Sequence, residues 1–133
     1  MVGAVFSLPY SAAVSLSGIK PGPDWLSNDT LNNDAILALA KKVRCVFEEK
    51  SESESDARKW PSTVKVKTTD GTYSKHVQYP KGSPENIMSE QELDDKFVHL
   101  ARFTLDEERT IAVRKLIGRL EQLGNISELT SLL

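Results

Sequence analysis

Side chains in the first segment of the chain recur at helical spacing. Five positions share one face of a predicted helix over residues 6–18, namely Phe6, Tyr10, Ala13, Val14 and Ser17. Pro9 falls in the first turn, where its missing N–H costs little, and Gly18 can end the helix in the left-handed conformation. The remaining faces carry alanine and serine, so that a neighbouring backbone can approach closely. We expect this helix to be buried between partners.

A proline- and glycine-rich turn over residues 20–24 separates this helix from the next one. Trp25 and Leu26 follow the turn as an apolar anchor. Asn33 or Asp34 can cap the second helix, because apolar residues follow at the spacing i, i+3, i+4 and i+7. These residues are Ile36, Leu39, Ala40 and Val43.

The next stretch changes from helical spacing to alternation and then to polar sequence. Residues 44–48 alternate in the manner of an extended strand, and Cys45 within it is expected to be a buried structural thiol. Residues 49–60 are expected to form a flexible loop rich in acidic residues and serine. A cation-binding loop is the alternative, although the segment lacks the glycine and the ordered oxygen spacing of a calcium loop.

The strongest local pattern in the chain predicts a β-hairpin. A valine–lysine alternation precedes the DG pair at 70–71, which is a strong turn signal, and residues 73–79 alternate again. Val64 and Val66 are expected to face the core. On the returning strand the inward set is Tyr73, Lys75, Val77 and Tyr79, with the lysine extending toward water.

A compact loop over residues 80–88 follows the hairpin, and two capping boxes then mark the starts of further helices. Ser89 with Glu92 opens one helix, and Thr104 with Glu107 opens another, which is expected to be the longest. The first of these helices carries an apolar stripe made of Leu93, Phe97, Leu100 and Ala101.

The longest predicted helix ends at Gly124, and a last short turn begins at Ser127. Its apolar side consists of Val113, Leu116, Ile117, Leu120 and Leu123. The order of elements is helix, helix, strand, hairpin and helices. This order predicts the α+β class, with a small antiparallel sheet and a DG hairpin covered by helices. The length of 133 residues predicts a single domain over residues 1–133.

Charge and composition exclude several classes of protein. The net charge of −2 leaves no basic stripe for nucleic acid. One cysteine and two histidines exclude a disulfide scaffold and leave little for a metal centre, so we expect neither a metal nor a cofactor. No apolar run approaches the roughly 20 residues that span a bilayer, and the N-terminus lacks the basic start of a signal peptide. We therefore expect a cytoplasmic protein that binds neither nucleic acid nor membrane.

Spacing alone reveals no self-contained catalytic constellation. The glycines are scattered singly, so there is no phosphate-binding loop, and no nucleophile elbow is present. His76 is expected on the outer face of the hairpin and His99 off the apolar stripe of its helix, both exposed. Tyr10 is the candidate of interest, since a phenol one turn into a helix of small residues can reach a cleft and donate to a carboxylate or enolate oxygen. The alternative is an aromatic residue of the core.

Four strings of the sequence resemble one enzyme family. AVFSLPYSAAVSL is similar to the AQFSLPYAVA-type segment of the MmgE/PrpD family, and DAILALAKKV matches the segment after it. KGSPENIMSEQEL resembles the family pattern KGxPENPMSxxEL, which follows a strand and a DG turn, and LEQLGNISELTSLL resembles the closing LExLxDVSxLxxLL. Val5 stands where the family usually has glutamine, and Ile87 stands where it has proline. The family includes 2-methylcitrate dehydratase and cis-aconitate decarboxylase.

The resemblance implies the C-terminal lid domain of a larger lyase. Family enzymes combine this α+β lid with a large helical domain that carries a catalytic Asp and His, and they usually form dimers. Tyr10 matches an active-site tyrosine of the decarboxylase branch in the context F-S-x-x-Y. Ser7 beside it and Lys20, the nearest cation in sequence, are the implied substrate-binding residues. The family reaction acts on tricarboxylates, whose three negative charges need several cations and donors, so the chain alone is not expected to catalyse it.

Three functions remain open on the sequence. The leading one is a lid domain or split subunit that contributes Tyr10 to a site completed by a helical-domain partner chain, with a small carboxylated metabolite as ligand. The second is a stand-alone domain that binds, isomerises or cyclises a small metabolite in a biosynthetic pathway. The third is a non-catalytic module that forms a homodimer through the face over residues 6–14. Full-length family members can be mitochondrial, although no targeting signal is evident here.

Overall fold

A computed structural model describes residues 2–47 and 60–133 of the chain. These residues form helices and one two-stranded antiparallel sheet, which confirms the α+β class. Short 3₁₀ turns lie at Pro23–Leu26 and Leu120–Gln122. In chain order the elements are α1 (Val2–Val5), α2 (Leu8–Leu16), α3 (Asn28–Leu31), α4 (Asp34–Ala40), β1 (Ser62–Thr68), β2 (Gly71–Val77), α5 (Glu90–Ala101), α6 (Glu107–Ile117) and α7 (Ser127–Thr130). The predicted flexible loop over residues 49–60 lies outside the described residues, except for Trp60.

The chain divides into two units, which we describe separately. The helical unit comprises Met1–Val46 and Asp94–Leu133, and the hairpin unit comprises Phe47–Leu93. Helix α5 begins in the hairpin unit and continues into the helical unit. None of the helices in the described ranges combines the length and apolar character that a bilayer crossing demands.

Helix α2 begins after Ser7, whose side-chain oxygen accepts a hydrogen bond from the Tyr10 N–H at 3.2 Å. Pro9 lies in the first turn, and Gly18 follows the helix with φ of 79°, as predicted. Phe6, however, lies outside the helix and is 83% exposed, so its predicted place on the buried face is wrong. The serine cap explains the difference, because it starts the helix two residues later than predicted.

The core of the helical unit forms where α2 packs against α4. Its buried cluster consists of Tyr10, Ala13, Val14 and Ile36, surrounded by partly buried side chains that include Trp25 and Leu39. The side chain of Asn33 caps α4 by accepting hydrogen bonds from the backbone N–H groups of the second and third residues after it. Of the two predicted caps, Asn33 and Asp34, the structure therefore selects the first.

The segment over residues 44–47 is not a strand, and its side chains are exposed. Cys45 is an exposed free cysteine, so the prediction of a buried thiol is wrong. A strand exists only through the hydrogen bonds of a neighbouring strand, and β1 and β2 pair with each other alone within the described ranges. The alternation over residues 44–48 therefore has no ladder to join, and Glu48 lies outside the described residues.

One of the two predicted capping boxes is present at the start of its helix. Ser89 and Glu92 exchange hydrogen bonds, from Ser89 N–H to the Glu92 carboxylate at 2.8 Å and from Glu92 N–H to the Ser89 hydroxyl at 3.2 Å. Helix α6 instead begins at Asp106, whose carboxylate accepts from the Arg109 N–H at 2.8 Å. Thr104 donates its hydroxyl hydrogen to the preceding helix, so the second predicted box is wrong.

Helix α6 is also shorter than predicted. It spans 11 residues and is capped by Gly118 rather than Gly124, whereas α5 spans 12 residues and is the longest of the described helices. The buried side chains of α6 are Thr110, Val113 and Leu116, which share one face. Ile117 and Leu120 are exposed, because the chain turns into a 3₁₀ conformation before a further helical turn can bury them. The last short helix begins at Ser127, as predicted.

Substitution of the observed cap of α6 is expected to lower stability, whereas substitution of the predicted cap is expected to change it little. Asp106→Ala removes the acceptor for a backbone N–H and is expected to lower the free energy of unfolding by about 1 kcal/mol. Thr104→Ala is the matched control and is expected to change it much less, because no α6 N–H uses its hydroxyl. Chemical denaturation followed by far-ultraviolet circular dichroism measures both. Equal losses for the two variants would contradict the observed cap.

The hairpin unit has the predicted turn and register. Val64 pairs with Lys75 and Val66 with Tyr73, so the predicted inward set does share one face of the hairpin. Gly71 starts β2 with φ of 153°, a conformation that favours glycine. Within this unit, however, Val64 is 57% and Tyr73 60% exposed, so the prediction that this face lies in the core is wrong for them. A two-stranded sheet has no second layer of its own against which to bury a face.

Candidate functional site

Tyr10 occupies the interior of the helical unit, one turn into α2. Its side chain is only 6% exposed, and its hydroxyl donates a hydrogen bond to the backbone carbonyl of Trp25 at 2.5 Å. Trp25 is held in turn, because its indole N–H donates to the carbonyl of Ile19 at 3.0 Å. The phenol therefore joins α2 to the 3₁₀ turn at Pro23–Leu26.

The environment of Tyr10 keeps its phenol neutral. Desolvation by burial raises the pKa of Tyr10 above its ordinary value, so the hydroxyl stays protonated at neutral and mildly alkaline pH. Its O–H is committed to the Trp25 carbonyl, while the lone pairs of its oxygen can still accept. To donate to a ligand, the phenol has to break its hydrogen bond to the Trp25 carbonyl, which costs about 1 kcal/mol. This cost is small beside the binding energy of a charged ligand.

A cavity of about 200 Å³ lies beside the Tyr10 ring. Its lining brings together the end of α1, the start of α2 and the turn before α3, through Ala4, Val5, Tyr10, Ser11, Gly22, Trp25 and Leu26. No charged side chain is among them, and the only side-chain hydroxyls are those of Tyr10 and Ser11. This arrangement can hold an apolar group and one or two polar contacts, but it cannot neutralise a tricarboxylate.

The two other predicted site residues lie outside this cavity. Ser7 is half-buried and its hydroxyl oxygen caps α2, so it acts on Tyr10 through the backbone of the helix. Lys20 is exposed on the segment that follows α2. Neither residue lines the cavity. The predicted substrate-binding role of Ser7 and Lys20 stays a prediction.

The N-terminal segment, which forms part of the cavity wall through Val5, exposes several apolar side chains. Val5, Phe6, Leu8 and Leu16 are each more than half exposed. No Asp, Glu, Lys or Arg occurs before Lys20. We call this surface, defined by these four residues, the uncharged face.

A larger, open cavity of about 620 Å³ lies in the hairpin unit, beside β2 and the loop before α5. Besides His76, its titratable lining includes two lysines and two glutamates, Lys75, Lys81, Glu85 and Glu92. Lys81 donates to the Glu92 carboxylate at 2.8 Å, and this bond, with that from the Ser89 N–H, holds the pKa of Glu92 below its usual range. Since the lysine and glutamate charges balance, this cavity offers little net field to an anionic ligand.

The two histidines lie in different units of the chain. His76 is exposed, as predicted, and its Nδ1 lies 2.9 Å from the Thr63 hydroxyl on the paired strand. His99 is half-buried, so the prediction that it is exposed is wrong. Within residues 2–47 and 60–133, no group of three His, Cys, Asp or Glu side chains is placed to hold a metal ion.

Sequence reasoning proposed Tyr10 as a site residue but did not predict the residues that contact it. Gly22 and Trp25 were predicted only as a turn and an apolar anchor, although both line the cavity and the Trp25 carbonyl binds the phenol. The signal was present in the string PGPDW, because a proline-rich turn followed by a large anchor fixes a backbone carbonyl in one direction. Nothing local indicates that this direction is toward α2.

We compared the sequence with the profiles of known protein families and with curated proteins. The sequence profile of the MmgE/PrpD C-terminal domain matches residues 1–121. The matched region contains the whole lining of the Tyr10 cavity and the hairpin. A search of curated proteins returns no match. Because the profile covers most of the chain, the protein belongs to the MmgE/PrpD family and carries its C-terminal domain.

Proposed function

We propose that this chain is the lid half of a composite lyase site, in which Tyr10 meets a ligand held mainly by a second, helical-domain polypeptide. The ligand class is a small polycarboxylate, and the reaction class is elimination of water or carbon dioxide. The observation that carries the proposal is the uncharged face beside the Tyr10 cavity. A cavity with a single ionisable side chain next to an exposed apolar surface has the properties expected of half of a site.

The chemistry assigned to Tyr10 suits a neutral phenol. Elimination next to a carboxylate develops negative charge on an enolate oxygen, and a phenol can donate a hydrogen bond to that oxygen. The raised pKa of Tyr10 favours this role, because the proton remains on the phenol. The partner is expected to supply the cations that balance the carboxylates, since the lining residues that the structure describes include none.

The size of the uncharged face suits a protein partner. Four large side chains, each more than half exposed, present on the order of 400 Å² of apolar surface. A standard protein interface buries about 800 Å² per partner, of which somewhat more than half is apolar. The face therefore matches the apolar content of one side of an ordinary interface.

The test combines the chain with the helical domain of an MmgE/PrpD enzyme. We expect a one-to-one complex by analytical ultracentrifugation and turnover of 2-methylcitrate or cis-aconitate by the complex only. Phe6→Asp is expected to weaken the complex at least tenfold, because it buries a charge in the interface. Ile126→Asp, at an exposed apolar position on the C-terminal side of α6, is the control and should leave the affinity unchanged.

A homodimer is the second candidate, since the same uncharged face could cover itself in a second copy. Sedimentation of the chain alone separates the two proposals. A homodimer that persists with Tyr10→Phe and excludes the helical domain would support a non-catalytic module. A monomer that binds the helical domain would support the lid.

A further inference from the structure

The imidazole of His99 lies against Gly22, and Gly22 is one of the residues that line the Tyr10 cavity. A Cβ atom added to Gly22 would stand 3.0 Å from Nε2 of His99 and 3.4 Å from a methyl carbon of Leu100, so only glycine fits without displacement. The His99 ring is held from its other side by Phe103, in an edge-to-face arrangement with centroids 5.9 Å apart. These contacts all lie within the helical unit.

A second contact ties the same helix to the same turn. Arg102, the first residue after α5, pairs with Asp24 at 3.3 Å, and its guanidinium stacks over the Phe103 ring at 5.1 Å. Asp24 belongs to the 3₁₀ turn that begins after Gly22. The end of α5 and the residue after it therefore hold this turn at two points, through a close contact at Gly22 and an exposed ion pair at Asp24.

The turn in question carries the hydrogen-bond acceptor of the phenol. The carbonyl of Gly22 accepts from the Trp25 N–H at 3.1 Å, and the Trp25 carbonyl accepts from Tyr10. A displacement of Gly22 therefore moves the Trp25 carbonyl. We propose that His99 is a positioning residue for Tyr10: its imidazole, seated against Gly22, holds the turn so that the Trp25 carbonyl meets the phenol hydroxyl.

The hydrogen bonding of the His99 ring indicates that the residue does more than fill space in the core. Its Nε2 is buried and has no hydrogen-bond partner among the described residues. A buried nitrogen without a partner costs free energy that a leucine of similar volume would avoid. An unpartnered buried nitrogen in a folded protein calls for an explanation, and a positioning role would supply one. The inference rests on the proposed function only in giving Tyr10 a ligand to serve.

The experiment uses the pKa of Tyr10 as the reporter of its position. Tyr73→Phe and Tyr79→Phe in the hairpin unit leave Tyr10 as the only tyrosine, so that absorbance of the phenolate follows one group. Gly22→Ala is expected to displace the turn, admit water and lower the pKa of Tyr10, which gives roughly tenfold more phenolate at a fixed alkaline pH. His99→Ala is expected to act in the same direction.

The double variant tests whether Gly22 and His99 affect the pKa of Tyr10 through their mutual contact. His99→Ala removes the ring that an added Cβ at Gly22 would strike, so the pair Gly22→Ala and His99→Ala should shift the pKa of Tyr10 no further than His99→Ala alone, and by less than the sum of the two single shifts. Additive effects on the pKa, or an unchanged pKa in a folded His99→Ala variant, would overturn the proposal. If Gly22→Ala does not fold, the His99→Ala result decides alone.

Two controls separate positioning from general loss of stability. Gly118→Ala adds a Cβ that meets its nearest atoms at 3.6 Å, an ordinary contact, and should leave the pKa unchanged. Val113→Ala removes buried side-chain volume on α6 and should lower stability without moving the pKa. A pKa change in Val113→Ala as large as that in His99→Ala would overturn the proposal. No partner or substrate is needed, so this test can fail while the lid proposal stands.

Discussion

Ile36→Ala is expected to lower the free energy of unfolding of the helical unit by about 2–5 kcal/mol, because it empties the centre of a small core. Ile36 is 3% exposed and connects α4 to the face of α2 that carries Tyr10 and Val14. The free energy of unfolding of an ordinary domain is about 5–15 kcal/mol, so the loss is a large fraction of the total. We expect a strongly lowered denaturant midpoint and a Tyr10 phenol that no longer stays buried.

The measurement is chemical denaturation followed by fluorescence of Trp25, which packs against the core cluster. Trp60→Phe removes the other tryptophan, which lies in the hairpin unit. Leu37→Ala is the matched control, because Leu37 is the next residue of the same helix and is exposed. Similar losses for Ile36→Ala and Leu37→Ala would contradict the assignment of the core.

Tyr10→Phe is expected to reduce turnover by the complex with the helical domain by about 10²–10⁴-fold in kcat, since it removes the proposed donor to the enolate. The substitution also deletes the hydrogen bond to the Trp25 carbonyl, which costs about 1 kcal/mol of stability. That cost is too small to unfold the chain. A loss of activity in a folded, assembled complex therefore reports on the chemistry.

Tyr73→Phe provides the control for the same chemical change, because Tyr73 is an exposed residue of the hairpin. It is expected to leave kcat and KM unchanged. The affinity of Tyr10→Phe for the helical domain should match that of the parent chain, since the ring that lines the cavity is retained. Full activity in Tyr10→Phe would refute the role proposed for the phenol.

Predictions that rest on one local signal with no competitor nearby agree with the structure. The Ser89 capping box, the Gly18 helix stop and the DG turn each involve groups only a few residues apart, so the chain satisfies them wherever the segment lies. The hairpin register follows from the turn in the same way, because the DG pair aligns Val66 with Tyr73.

Predictions failed where two local signals competed or where burial depended on distant residues. Thr104 and Asp106 both lie near the start of α6, and the carboxylate forms the cap. Phe6 and Cys45 have apolar or weakly polar side chains that the pattern assigned to a core, yet each is exposed. Whether such residues are buried depends on what packs on them, and periodicity carries no information about that.

In the candidate site, too, local features could be predicted from the sequence, whereas contacts between distant residues could not. Sequence reasoning singled out Tyr10, because its motif and its place one turn into a helix are local facts. It did not predict that the Trp25 carbonyl accepts the phenol hydrogen, or that His99 lies against Gly22. The second contact joins residues that are far apart in the sequence, and no spacing rule connects them.

From its amino-acid sequence alone, this protein could be assigned its α+β class, its hairpin, several helix ends and its resemblance to the MmgE/PrpD family. Tertiary structure decided which apolar residues are covered, where the phenol of Tyr10 donates, and which helix supports the turn that receives it. The reason is physical. Caps and turns are satisfied by backbone groups within one turn of the chain, whereas burial and cavity walls arise only when distant segments exclude water together.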